Sequence, residues 1–226
     1  MLSLYPRQIL GTWGERVFVP CMVYYFHLLG SQWAIRNGMK APVVAINGQF
    51  MLWRRPSYEA IGGYAAIKTA WLDDMTIGKE AVAKGLSVSY RPGRGVARCR
   101  MYTGFGEVWN GFAKHTWDSF SQPAPVYLAI HAWLFAVTVA VWLLPLTVIA
   151  RPWSAREWAL FGLVAALTAC TRLISCFQAG GGWWSAALHP VSMAGALLNG
   201  VESWRLARQR TSSWKGRTRG EAALPS

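Results

Sequence analysis

The stretch PVYLAIHAWLFAVTVAVWLLPLTVIA, from Pro125 to Ala150, decides the class of this chain. It carries no charged side chain and exceeds the roughly 20 apolar residues that a helix needs to cross a bilayer. A second apolar run covers 156–177. Near its end stands Arg172, whose long side chain we expect to reach the lipid headgroups. The sequence therefore predicts two membrane-spanning helices.

A third segment, 183–206, is less apolar than these two. Four of its side chains are polar or helix-breaking: His189, Pro190, Asn199 and Glu202. Basic residues precede the first span and recur in the tail at 207–226, and such residues favour the cytoplasmic side. Both flanks face the cytoplasm if the number of crossings is even. We therefore expect 183–206 to be re-entrant or interfacial, with a third span as the alternative.

The composition of the whole chain agrees with a membrane protein. Of 226 residues, 53% are hydrophobic and 15% are charged, against roughly 25% charged in an ordinary soluble domain. This hydrophobicity excludes a disordered chain. The net charge of +13 is better matched by membrane phosphates than by nucleic acid, so no nucleic-acid partner is expected. Four cysteines lack metal-site spacing and are predicted to be small apolar residues: Cys21, Cys99, Cys170 and Cys176.

The amino-terminal part, 1–124, mixes both signs of charge and predicts an α/β arrangement. The apolar segment 17–30 is too short to cross a membrane and is predicted to be a buried or interfacial helix. Residues 41–53 have the pattern of two short strands around a turn at Asn47-Gly48.

A helix is predicted from the acidic pair Asp73-Asp74, either of which can cap it, to a stop at Gly85. Two strands are predicted to follow at 86–90 and 96–102, joined by a basic turn.

The acidic pair is the first candidate for chemistry. Two adjacent carboxylates at a helix start can cap the helix, bind a metal or act as a general base. Spacing alone leaves all three roles open and favours capping. Arg98 and Arg100 lie on one face of a predicted strand, where they can bind phosphate or be simply solvated.

Several short motifs occur in a fixed order along the chain. They are Asn47-Gly48-Gln49-Phe50, Arg54-Arg55, Tyr58-Glu59, Ile61-Gly62-Gly63, Leu72-Asp73-Asp74, Lys79, Gly85, Arg100-Met101-Tyr102, Glu107-Val108-Trp109, Gly111-Phe112 and Lys114. This order resembles membrane-bound family 2 glycosyltransferases, most closely those that glycosylate carotenoids, hopanoid-type lipids or sphingolipids. The resemblance covers nearly the whole chain.

The resemblance implies a GT-A fold that faces the cytoplasm, in a multi-pass protein of a bacterial inner membrane. It implies transfer from a nucleotide-sugar donor, expected to be a UDP-sugar, to a lipid hydroxyl with inversion. Asp74 matches the catalytic base, and Asp73 stands where the family usually has Glu. The resemblance assigns six further residues to substrate binding: Asn47, Gly48, Gln49, Arg100, Trp109 and Lys114. Processive relatives carry Gln-x-x-Arg-Trp. This motif is absent here, and its absence favours single-sugar transfer.

The family's nucleotide-binding half, with its Asp-x-Asp metal motif, normally precedes this region, and the sequence contains no Asp-x-Asp. We therefore expect the chain to be the carboxy-terminal portion of a longer protein. A divalent cation, Mg or Mn, is expected in the full-length enzyme and none on this chain alone. Expressed alone, the chain is expected to be inactive, and metal-dependent transfer by the purified 226 residues would contradict this. The alternative is a non-catalytic membrane scaffold or partner subunit.

Overall fold

The computed structural model of the chain describes residues 1–29, 46–120, 122–209, 213–214 and 217–218. Over these ranges the chain is mostly helical. The α-helices, in chain order, are α1 (Trp13–Leu28), α2 (Arg55–Ala60), α3 (Asp73–Ala83), α4 (Phe105–Phe120), α5 (Ala124–Thr138), α6 (Ala155–Ala179), α7 (Trp184–Ala187) and α8 (His189–Gln209). Two 3-10 helices lie at Tyr64–Ile67 and Ala140–Ile149.

The described strands form one small mixed sheet and one hairpin. They are β1 (Leu2–Gln8), β2 (Met51–Leu52), β3 (Ser89–Cys99), β4 (Ser213–Trp214) and β5 (Arg217–Thr218). In the sheet, β1 is central, antiparallel to β2 and parallel to β3, while β4 and β5 pair with each other. The α/β prediction is therefore confirmed only in the coarse sense that helices accompany a sheet.

Strand β3 corrects the prediction of two strands joined by a turn. It runs as one strand beside β1, where Leu4 pairs with Arg91 and Arg7 pairs with Arg98. The register shifts between Pro6 and Arg7, so the four residues at 94–97 bulge out of the ladder. Pairing with the distant β1 keeps this Gly- and Pro-containing segment extended.

Helix α1 contains most of the segment 17–30 and is buried. A capping box between Thr12 and Glu15 satisfies its first backbone N–H groups. Cys21 of α1 then packs against Met193 and Ala196 of α8, and the same helix also contacts α4 and α6. These helix contacts, rather than the sheet, make up much of the core.

Helix α6 is the described helix that is long and apolar enough to cross a membrane, and most of its apolar window is exposed. Its outward residues include Leu160, Leu163 and Leu167. The other predicted span, 125–150, is not a straight helix, because α5 and the following 3-10 helix meet at a bend of 50°. Taken together as a single broken span, they would make a second crossing within the described residues.

A proline accounts for the irregular second half of this predicted span. Pro145 lies inside the 3-10 helix, where it has no N–H to donate and its ring obstructs regular α-helical geometry. The run 125–150, predicted as one membrane-spanning helix, is therefore two helices that meet at a bend.

Arg172 corrects another expectation, since its side chain is fully buried instead of reaching the headgroups. Its Nη2 donates to the Val17 carbonyl oxygen at 2.8 Å and to Ser192 Oγ at 3.1 Å, and its Nη1 lies 3.4 Å from Cys21 Sγ. These partners lie on α1 and α8, so one guanidinium joins three helices.

The predicted third segment, 183–206, lies in α7 and α8, and α8 packs against α1, α4 and α5. Most of the predicted tail, 207–226, lies outside the described residues. The four cysteines are free thiols, of which Cys21 and Cys176 are buried, as expected of small apolar residues.

Candidate functional site

The acidic pair occupies the first turn of α3, as the helix prediction requires. The helix ends near Gly85, whose φ of 69° lies in the left-handed region, so the predicted stop is confirmed. Neither aspartate is the N-cap residue, which is Leu72 without a side-chain cap hydrogen bond, but both carboxylates accept from backbone N–H groups of the first turn: Asp73 from Asp74 and Asp74 from Met75. In the first turn, both carboxylates are also favoured by the helix dipole.

Asp74 is held against the predicted Asn47-Gly48 turn. The backbone N–H of Gly48 donates to Asp74 Oδ2 at 2.9 Å, and the N–H of Met75 donates to Oδ1 at 2.7 Å. A Cβ at position 48 would lie 3.0 Å from both Cβ and Oδ2 of Asp74, closer than ordinary packing allows. Glycine at 48 therefore permits the close approach that fixes this carboxylate.

The turn itself is anchored on β1. The hydroxyl of Ser3, which is fully buried, accepts from the Asn47 N–H at 2.9 Å and donates to the Asn47 carbonyl oxygen at 3.1 Å. Asn47 Oδ1 accepts from the Gln49 N–H, and Gln49 Oε1 accepts from Gln8 Nε2 at 2.8 Å. The central strand of the sheet thus positions the loop that holds Asp74.

Ser3→Ala should lower the free energy of unfolding by about 1–3 kcal/mol, because it removes both bonds and leaves two buried backbone groups without this partner. Thermal unfolding followed by circular dichroism would measure the change. Ser119→Ala is the matched control, since Ser119 Oγ bonds only locally, to the His115 carbonyl oxygen one turn earlier. The control should stay within about 0.5 kcal/mol of the wild type, and equal effects of both variants would refute the anchoring role.

Burial raises the pKa of the Asp74 carboxyl, and the negative charge of Asp73 adds to this rise. The N–H groups of Gly48 and Met75 oppose it by stabilising the ionised form. Asp73 itself is exposed. The environment therefore distinguishes the two adjacent aspartates, because Asp74 is part-buried and held by backbone N–H groups whereas Asp73 is exposed.

A cavity of about 240 Å³ joins this carboxylate to the helical core. Asn47, Asp73 and Asp74 lie at its polar end. Its remaining wall is largely apolar or aromatic and includes Cys21, Met22, Tyr25, Phe112, Phe120 and Ala196. These side chains come from α1, α4 and α8. Polar residues of α4 and α8 interrupt this largely apolar wall, among them Thr116, Ser119 and Asn199.

His115 of α4 also lines the cavity, although the sequence indicated no role for it. Burial lowers the pKa of His115 to about 4; the charge of Lys114 acts in the same direction and that of Asp73 opposes it. The imidazole is therefore neutral at pH 7. Its place beside the acidic pair depends on the packing of α4, which no local motif indicates.

Of the six predicted substrate-binding residues, Asn47 lines this cavity and the other five do not: Gly48, Gln49, Arg100, Trp109 and Lys114. Gly48 and Gln49 belong to the neighbouring loop that holds Asp74. Arg100 forms an ion pair with the buried Glu15, with Nη2 3.2 Å from Oε1. Trp109 stacks obliquely on Phe105, with ring centroids 5.8 Å apart. The backbone carbonyl oxygen of Lys114 accepts from Trp71 Nε1 at 3.4 Å.

Arg100 is tied to a structural carboxylate. Burial raises the pKa of Glu15, but hydrogen bonds from Arg100, Gly11 and Thr12 outweigh burial, so the pKa is lowered overall. The guanidinium thereby braces the start of α1 against the end of β3. If the Arg100 guanidinium bound a phosphate instead, Glu15 would stay buried with fewer partners.

The divalent cation expected of the full-length enzyme finds no ready site in the described part of the chain. No group of three or more His, Cys, Asp or Glu side chains there is arranged to hold a metal ion. Asp73 and Asp74 alone are too few ligands for a dedicated protein site.

With this geometry in view, the chain was compared with known proteins. No protein-family model, no curated protein and no solved structure matches it.

Proposed function

We propose that the chain forms the acceptor side of a membrane glycosyltransferase, which moves a sugar from a nucleotide-sugar donor, expected to be a UDP-sugar, to a lipid hydroxyl. The observation that carries the proposal is Asp74, a carboxylate of raised pKa at the polar end of a largely apolar cavity. Such a cavity suits an amphiphile whose hydroxyl lies next to the carboxylate and whose apolar part lies among α1, α4 and α8.

In the proposed reaction, Asp74 takes the proton of the acceptor hydroxyl as its oxygen attacks the anomeric carbon. The new carbon–oxygen bond forms as the bond to the nucleoside diphosphate breaks, so the anomeric configuration inverts. The N–H of Gly48 holds the carboxylate, while neutral His115 adds a polar group to the same end of the cavity. We expect the groups that bind the donor and the cation to lie outside the cavity.

The proposal places α6 in the membrane, with its exposed leucines facing lipid. It also takes α5 and the 3-10 helix as a second, broken crossing, so the protein is multi-pass. The basic flanks and the acidic pair then face the cytoplasm, and the bacterial inner membrane is the proposed location. A cavity that opens near this boundary would receive its acceptor from the bilayer.

A donor screen tests this function. Membranes containing the complete gene product, with any sequence that precedes Met1, would be incubated with radiolabelled UDP-sugars and total lipid extract. We expect one donor to label an organic-extractable product, and membranes without the protein to give none. Labelling that partitions entirely into water-soluble products, or none with any nucleotide-sugar, would contradict the proposal.

The pH dependence of the rate supplies a further prediction. The active form of Asp74 is ionised, so activity should rise with pH through its pKa, which lies above the usual value of about 3.9. Asp73→Asn should move this acid limb to lower pH, because it removes a neighbouring negative charge that raises the pKa. Initial rates across the acid range would measure the shift.

Glu80→Gln is the matched control, since Glu80 is an exposed carboxylate on the same helix. It should leave the acid limb in place. If the acid limb stays in place in Asp73→Asn, the titrating base is a group other than Asp74.

A further inference from the structure

A groove separate from the Asp74 cavity lies between α6 and the 3-10 helix Ala140–Ile149. Its volume is about 450 Å³, within the range of roughly 300–1,000 Å³ typical of small-molecule sites. Its walls are apolar, with Val141 and Leu144 on one side and Leu160 and Val164 on the other. We call it the Arg151 groove, because that residue stands at its polar end.

The polar end of the Arg151 groove can receive an anion. Both terminal nitrogens of Arg151 bond to Glu157, yet the side chain is 62% exposed. A guanidinium has five N–H donors, so three remain for a further acceptor. Glu157 also lines the groove and completes the capping box at the start of α6. The segment 151–157 carries Arg151 and Arg156 with this one carboxylate, so its net charge is positive.

Aromatic side chains mark the depth of this polar end. Trp153 lies 4.9 Å from Trp158 and 5.9 Å from Phe161, as measured between ring centroids. Clustered tryptophans at the end of an apolar helix are typical of the headgroup level of a bilayer. The apolar walls therefore lie at the depth of the acyl chains.

The surface on both sides of the groove is also apolar. Leu146 and Ile149 are exposed on the 3-10 helix, and Leu163 and Leu167 are exposed on α6. The groove thus opens within the surface assigned to lipid, so the molecules that meet it are membrane lipids.

We propose that the Arg151 groove binds one phospholipid with an anionic headgroup, with its phosphate on Arg151 and an acyl chain between the 3-10 helix and α6. The inference rests on the proposed membrane placement and is independent of sugar transfer. The groove complements such a lipid in two ways. Arg151 lies at the depth of the phosphate, and the apolar channel below it matches an acyl chain.

Photolabelling tests the site on the full chain. The protein would be placed in bilayer discs of phosphatidylcholine with a minor fraction of phosphatidylglycerol that carries a diazirine on one acyl chain. Labelled positions would be mapped by mass spectrometry. We expect labelling to concentrate in 141–164, and Arg151→Gln to reduce it about fivefold, as expected for one cation near an anionic surface. Arg55→Gln, which breaks another exposed Arg–Glu pair, should leave it unchanged.

A second variant pair tests the apolar channel. Leu144→Trp fills the groove and should reduce labelling, whereas Leu163→Trp adds the same side chain to exposed α6 surface outside the groove wall and should not. Circular dichroism would check that both variants fold. Equal labelling along all exposed positions of α6, or equal labelling by a phosphatidylcholine probe, would overturn the site. No labelling of α6 at all would instead contradict the membrane placement.

Discussion

Asp74→Asn is expected to lower the rate of sugar transfer by about 10²–10⁴-fold, because it removes the group proposed to accept the hydroxyl proton. The amide oxygen of asparagine can still accept the Gly48 N–H, whereas its NH2 group cannot accept the Met75 N–H as Oδ1 of Asp74 does. The assay is transfer of labelled sugar to lipid by membranes that contain the complete gene product.

The stability of the same variant combines two opposite effects, the loss of one backbone hydrogen bond and the removal of a part-buried negative charge. The pKa of Asp74 is higher in the folded state than in the unfolded chain, so the folded state binds the proton more tightly. That contribution to stability is present below the unfolded pKa and is lost as pH rises through the folded pKa. At neutral pH the ionised carboxylate therefore costs stability, and asparagine relieves this cost.

Asp73→Asn is the matched control for the rate, since Asp73 is adjacent to Asp74 but exposed. Its effect on the rate should stay below about a hundredfold, the low end of what one proton-transfer group contributes. A scaffold would be insensitive to both substitutions. Unchanged transfer in Asp74→Asn would therefore refute Asp74 as the base.

Gly180→Ala is expected to produce the largest loss of stability, about 2–5 kcal/mol in the free energy of unfolding. Gly180 ends α6 with a φ of 87°, where a side chain costs about 1–2 kcal/mol. A Cβ there would also overlap the carbonyl oxygen of Gln8 on β1, and such overpacking adds about 1–3 kcal/mol.

Gly85→Ala separates these two contributions. Gly85 has a similar φ of 69°, yet a Cβ there would meet no atom within 4 Å. The free energy of unfolding of this variant should fall only by the cost of the left-handed backbone conformation, about 1–2 kcal/mol. Thermal unfolding in detergent would measure both variants. Equal losses would show that α6 does not pack closely on β1.

Local signals predicted the elements that depend on neighbouring residues. The helix through Asp73-Asp74, its stop at Gly85 and the turn at Asn47-Gly48 all follow from short-range preferences and were found. The long apolar run of α6 was also predictable, because hydrophobicity over a window needs no partner.

Features that depend on distant residues could not be predicted in this way. The continuity of β3 depends on β1, which lies more than 80 residues earlier and overrides the turn signals of Pro92 and Gly93. Arg100 has the charge for phosphate binding, but Glu15 lies in contact with it only after folding. The cavity likewise exists because α1, α4 and α8 meet, which no single segment encodes.

The buried guanidinium of Arg172 constrains how the protein is assembled. On translocon scales an unshielded arginine at the centre of an inserting helix costs about 2.5–3.5 kcal/mol, which is an upper bound for Arg172 because it lies nearer the end of α6. The carbonyl of Val17 and the hydroxyl of Ser192, which shield this cation, belong to segments made before and after α6 during synthesis. Under the proposed membrane placement, the charge in α6 is therefore fully shielded only when an earlier helix, α1, and a later one, α8, have both packed against it.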